Sequence, residues 1–161
     1  MKYPKRKRIR LDKHLYQGPL IISVTLCFYR NYDVIKNRLA NKVIQILKHS
    51  AVKYAMENYA YCLMPDHLHW LFRLNDERYN ALDIIRYFKS KSSFGLKGQY
   101  NATQLWQNRF YDHILRRDED IRKQAKYILE NPVRKNIADA FTSYEYSGGI
   151  YFEVDNEVYP R

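Results

Sequence analysis

The stretch Tyr61-Cys62-Leu63-Met64-Pro65-Asp66-His67-Leu68-His69-Trp70-Leu71-Phe72 decides how this chain folds. It reads as the end of one strand, a tight Pro-Asp turn, and a second strand. Side chains at i and i+2 of a strand share a face, so His67 and His69 stand side by side while Leu68, Trp70 and Phe72 point the other way. One face is apolar enough to pack against helices, and the other displays two imidazoles on a rigid backbone. Two readings of the pair stand at this point: ordinary half-buried histidines, or two ligands of a divalent metal. Asp66 either closes the turn or orients one of the rings from behind.

Working outward, residues 57–63 and 67–74 form the two arms of this hairpin. Upstream, Gly18-Pro19 precedes a β-branched run from Leu20 to Phe28 that reads as a buried strand. Asn31 or Asp33 caps the next helix, in which Ile35, Leu39, Val43, Ile46 and Leu47 recur at helical spacing to about His49. Downstream, a helix runs from about Asn80 to Ser93, before Gly95 and Gly98. Gln104 to Arg117 is a mixed aromatic and basic run, expected as a strand pair or strand-loop-strand. Asp118 caps a further helix with Glu119 and Asp120 in its first turn. That helix ends near Asn131-Pro132, since the residue before proline avoids helical geometry, and a shorter helix follows near 133–141. This order predicts an α+β fold: a ferredoxin-like antiparallel sheet of the split βαβ type, with helices packed on one face and the histidines on the other.

Length and composition bound the function. The chain has 161 residues, which fits one domain with a single core. No segment has the apolar length needed to span a bilayer, and no apolar block with a cleavage site follows the charged N-terminus. Cys27 and Cys62 lack CxxC spacing and read as core residues in a reducing compartment, so a cytoplasmic location is expected. Lys and Arg number 28 against 17 acidic residues, a net charge of +11, and 16 tyrosines accompany them. A basic surface rich in aromatics fits a polyanion with stackable bases, which is single-stranded nucleic acid. No amphipathic basic helix with an insertion face favours a membrane instead. The N-terminal Lys5-Arg6-Lys7-Arg8-Ile9-Arg10 is a solvated tail or a phosphate-contacting arm.

The helix from Glu119 to Asn131 places Ile121, Ala125, Ile128 and Leu129 on one burying face. Tyr127 falls on another side, with Asn131 beside it at i+4. Tyr127 is either a nucleophile or a cover for the helix flank; Asn131 is either a third metal ligand or a C-cap. Phosphoryl transfer would join these groups to the histidines. Metal held by His67 and His69 polarises a phosphate, and Tyr127 attacks it to leave a phosphotyrosine link to DNA. Arg109, Arg116, Lys123, Lys126 and Arg134 are the expected phosphate contacts, with Trp106 and Tyr111 as stacking platforms.

Three blocks together resemble a known family: Met64-Pro65-Asp66-His67-Leu68-His69-Trp70, Trp106 to Arg116, and Tyr127-Ile128-Leu129-Glu130-Asn131-Pro132-Val133-Arg134. In this order they look like the REP-associated tyrosine transposases, single-tyrosine members of the HUH endonuclease superfamily. The resemblance spans about residues 18–147, leaving 1–17 as a basic arm and 148–161 as a tail. It implies that His67 and His69 are the HUH pair and that Tyr127 forms a 5′-phosphotyrosine. It also implies that Asn131 completes a site for Mg2+ or Mn2+, with cleavage and rejoining of single-stranded DNA beside a hairpin and release of a free 3′-OH. A bacterial, nucleoid-associated setting goes with it. His113 lies in a family block, where it either contacts substrate or supports the sheet. Two rival readings keep the basic surface, a domesticated hairpin DNA- or RNA-binding module that does not cut, and a metal-dependent phosphodiesterase using water. Related enzymes act as monomers or dimers, and no interface stripe decides between them here.

Overall fold

The computed structural model describes residues 11–29, 33–34, 39–99, 104–116 and 119–152. The Lys5–Arg10 arm, Asn31, Ile35, Arg117, Asp118 and the chain beyond Phe152 lie outside the described residues. Five strands form one antiparallel sheet: β1 (Leu20–Cys27), β2 (Glu57–Leu63), β3 (His67–Leu74), β4 (Tyr111–Ile114) and β5 (Ser147–Gly148). Their order is β4-β1-β3-β2-β5, and the first four give the ferredoxin-like α+β arrangement expected from the sequence. The hairpin falls where the Pro65-Asp66 turn predicts it.

Alternation explains the sheet's first face. Leu26, Val24 and Ile22 of β1 lie opposite Leu68, Trp70 and Phe72 of β3, and all six are buried. Against them pack α1 (Ala40–Lys53), through Val43, Ile44 and Leu47, and α2 (Ala81–Gly95), through Ile84, Ile85 and Phe88. Asn80 caps α2 by accepting from Leu82 N at 3.0 Å, and its amide donates to Lys13 O at 2.9 Å. The Trp70 indole, buried in this layer, donates to Asn58 Oδ1 at 2.8 Å.

Helices on one face alone is the part of the expectation that needs correcting. The third helix, α3 (Ile121–Leu129), lies on the histidine side, where Ala125, Ile128 and Leu129 pack with Tyr59, Ala60, Cys62, Met64 and Leu71. Leu71 alternates with His69 on that face, so its apolar side chain is the landing point for the helix.

Other boundaries shift for local reasons. α1 begins at Ala40 without a side-chain cap, and Asp33 does not start it. Val34 is buried, and its N–H bonds the Pro65 carbonyl of the hairpin turn at 3.3 Å, so the backbone there serves the hairpin. The cap of α3 is Asp120, whose carboxylate accepts from Lys123 N at 3.2 Å. The chain then re-enters a single turn, α4 (Asn131–Arg134), which carries Pro132 in its first turn. The helix expected to reach 141 stops there; Asn136 takes a left-handed conformation with φ 53°, which asparagine tolerates better than most residues. The expected strand pair over 104–117 is one bridge, Phe28 to Trp106, followed by β4 on the same edge of β1.

Packing reaches residues on both sides of the 18–147 span. Tyr16 is fully buried and donates to Asp112 Oδ2 at 2.5 Å. At the other end β5 extends the sheet beyond β2. Gly149, at φ 120°, sits where a Cβ would meet Tyr59 O at 2.7 Å. Tyr151 then contacts Tyr59 edge-on at 5.5 Å and Phe152 meets Phe141 at 5.9 Å, so residues 148–152 are packed structure. Among the described residues no helix is long and apolar enough to cross a membrane, and both cysteines are free thiols.

Candidate active site

The two imidazoles meet edge to face, with their Nε2 atoms 3.1 Å apart. Each ring is fixed from behind. His67 Nδ1 lies 2.6 Å from Asp66 Oδ1, and His69 Nδ1 lies 2.9 Å from Thr25 Oγ1. The Asp66 carboxylate only accepts, so Nδ1 of His67 carries the proton of that contact. Thr25 is placed by register, since it stands directly opposite His69 in the β1–β3 pairing. Its hydroxyl both donates and accepts, so it serves either tautomer of His69. Burial, then the neighbouring His67, then the Arg134 charge push the His69 pKa down to about 4, which leaves this ring neutral near pH 7.

This is the donor geometry of adjacent ligands on one ion. Vertices next to each other on an octahedron with bonds of about 2.1 Å lie roughly 3.0 Å apart, close to the observed separation. Neutral imidazoles whose distal nitrogens are held by a carboxylate or hydroxyl are the usual metal-ligating form. Among the described residues no group of three or more His, Cys, Asp or Glu side chains is arranged to hold an ion. An amide oxygen, a phosphate or water could complete the shell of such an ion.

Asn131 offers such an amide. It is buried, 5% exposed, and not on the open surface as its spacing implied. Its Nδ2 donates to the carbonyls of Tyr127 at 3.1 Å and Ile128 at 3.4 Å, closing the end of α3. The amide nitrogen is thus committed to the helix end, which leaves Oδ1 as the acceptor atom of this side chain.

Tyr127 is 52% exposed, on the flank of α3 away from its packing face. Arg134 covers it, with the guanidinium carbon 4.1 Å from the ring centroid and a terminal nitrogen donating to the Tyr127 carbonyl. Gln124 ties the same helix to β1 by donating to Ser23 Oγ at 3.1 Å.

The remaining expected contacts divide. Arg109, Arg116, Lys123 and Lys126 are exposed, and Lys126 lies 3.7 Å from Glu130. Tyr111 is 56% exposed and pairs with Thr25, one strand over from His69 on the same face. Trp106 is a correction. It is 3% exposed, stacks on Phe28 at 4.1 Å and donates to Ser92 Oγ at 2.7 Å, so it is a core residue that no base can reach. His113 binds Glu119 at 2.8 Å, and Glu119 also accepts from Arg116 N at 3.1 Å. That pair ties β4 to the residue preceding the α3 cap. In the sequence Glu119 reads only as a first-turn acid of the helix, and neither Thr25 nor Gln124 is marked there as a partner of the site.

Residues 19–131 match the family model described as "Transposase IS200 like". The chain belongs to this IS200-like transposase family. A Haemophilus influenzae (strain ATCC 51907 / DSM 11121 / KW20 / Rd) relative is 28% identical over 131 residues, spanning 75% of this chain and 74% of its own. The REP-associated tyrosine transposase of Escherichia coli (strain K12) is 26% identical over 155 residues, spanning 90% and 87%. The fold is shared with a REP-associated tyrosine transposase solved with a REP hairpin, at a TM-score of 0.77 and 19% identity, covering 96% of this chain and 88% of that one.

Proposed function

We propose that this transposase-family chain is a metal-dependent single-strand DNA endonuclease and strand transferase that cuts and rejoins DNA beside a hairpin. The observation that carries the reading is the pair of Nε2 atoms 3.1 Å apart, each ring locked by an outer partner. The hairpin partner is inferred from the relatives, one of which was solved with a REP hairpin.

Mg2+ or Mn2+ held by His67, His69 and Asn131 Oδ1 would supply Lewis-acid polarisation of the scissile phosphate. The chain's own groups do the rest. Asp66 and Thr25 hold the imidazoles in the ligating orientation. Tyr127 gives up its phenolic proton and its oxygen bonds to phosphorus as the bond to the 3′ oxygen breaks; that oxygen takes up a proton. The product is a 5′-phosphotyrosine and a free 3′-OH, and the phosphodiester energy is conserved for rejoining by the reverse attack. Exposed Arg109, Arg116, Lys123 and Lys126 neutralise the backbone, and Tyr111 stacks a base.

The test is incubation of hairpin-flanked single-stranded DNA with the protein and Mn2+, followed by denaturing electrophoresis. The wild type is expected to give a covalent protein–DNA band that Tyr127→Phe abolishes. Cleavage that persists in Tyr127→Phe means that water is the nucleophile. Tight binding with no cleavage by the wild type means a binding module.

A further inference from the structure

Arg134 stands apart from the other cations of this surface. Its guanidinium lies 4.1 Å from the Tyr127 ring centroid, and it donates to the carbonyl of the same residue. Glu130, 3.4 Å away, holds it from the side. The ring and the backbone of Tyr127 are therefore both gripped by one side chain.

The position has a chemical meaning if Tyr127 attacks phosphorus, and the inference rests on that reading. Phosphoryl transfer spreads charge over the non-bridging oxygens of the phosphate, which must sit between the nucleophile and the imidazole pair. A cation already fixed against the ring of the nucleophile, with part of its donor fork uncommitted, costs little reorganisation as charge develops. Arginine suits this position because its planar fork matches two oxygens at once and keeps its proton throughout.

We propose that Arg134 is a further catalytic residue, which holds the Tyr127 ring for attack and binds the non-bridging oxygens of the scissile phosphate. It exchanges no proton: the bond formed is Tyr127 oxygen to phosphorus, the bond broken is phosphorus to the 3′ oxygen, and Arg134 contributes charge alone. A phosphate-tracking cation would affect only DNA affinity, and a clamp on the α3–α4 corner would affect only structure.

The experiment measures single-turnover adduct formation by wild type, Arg134→Ala and Arg134→Lys on hairpin-flanked single-stranded DNA. The scissile linkage is either phosphodiester or methylphosphonate, in which a neutral methyl replaces one charged oxygen. DNA affinity is measured separately, and thermal melting checks the fold. On the phosphodiester, Arg134→Ala is expected to slow adduct formation about 100-fold or more, with Arg134→Lys recovering only part. On the methylphosphonate the gap between wild type and Arg134→Ala should close to within about 10-fold, because the charge that Arg134 meets is gone. An equal gap on both substrates assigns Arg134 to structure and overturns the proposal. So does a loss confined to affinity, or an Arg134→Ala rate equal to wild type. If the wild type itself forms no adduct, the reading of Tyr127 as nucleophile fails and takes this role with it; a wild-type adduct with an unaffected Arg134→Ala defeats the arginine alone.

Discussion

At the residue scale, the imidazole pair shows what a strand's period of two can and cannot disclose. His67 and His69 were legible as neighbours because alternation alone puts i and i+2 on one face. Thr25 was not, because its partnership with His69 spans 44 positions of sequence and depends on the β1–β3 register. Trp106 was misread for a related reason. An aromatic in a mixed basic run looks exposed until the bridge to Phe28 turns it inward. The Thr25 hydroxyl is the only group seen on His69 Nδ1 among the described residues, so removing it frees the ring to rotate or change tautomer. Thr25→Val keeps the shape and β-branching while deleting that bond, and Thr25→Ser keeps the bond. Titration calorimetry with Mn2+ should find about 10-fold weaker binding in Thr25→Val and near wild-type binding in Thr25→Ser. Equal affinity in all three proteins would mean that Thr25 does not orient the ring.

At the scale of elements, α3 does two jobs with opposite flanks. Its apolar stripe was visible as Ala125, Ile128 and Leu129 at helical spacing, and all three are buried. Which sheet face it would cover was not visible, because the stripe fits any apolar surface; Leu71, the apolar residue next to His69 on its face, decides that. The break at Pro132 was legible, but the immediate restart as α4 was not, since proline is tolerated in a helix's first turn. Asn131 stands at this junction, and its amide nitrogen closes α3 whether or not its oxygen meets a metal. The two roles separate experimentally. Asn131→Ala should lower stability by about 1 kcal/mol through the lost bonds to helix-end carbonyls, read as a fall in Tm of the metal-free protein. If Oδ1 is a ligand, the same variant also loses Mn2+ affinity. A lower Tm with unchanged Mn2+ affinity would leave Asn131 as a cap only.

At the scale of the molecule, the sheet's second face is divided. Over β2 and β3 it is closed by α3 against Tyr59, Ala60, Cys62 and Leu71. Towards β4 it carries polar or exposed side chains, with Thr25 beside Tyr111 and Ser23 beside His113. Gln124, bonded to Ser23, marks where the helix reaches β1. The imidazoles thus lie beside the seam between a dry half and a wet half, and the exposed cations of α3 and of the β4–α3 turn border the wet one. Net charge predicts attraction to polyanions without saying where it acts; if the imidazole pair is the reaction site, the strand runs along this side. Salt dependence tests that assignment, since each phosphate contact releases counterions and steepens the fall of affinity with ionic strength. Fluorescence anisotropy with a hairpin-flanked single strand should give a slope in log K against log salt that flattens by about one in Arg116→Ala. Lys53 provides the control. It ends α1 on the opposite layer, over the rings of Tyr54 and Tyr87, so Lys53→Ala should leave the slope unchanged although it removes the same charge. If both variants flatten the slope equally, the protein is sensing its overall charge, and the divided face does not select where the strand runs.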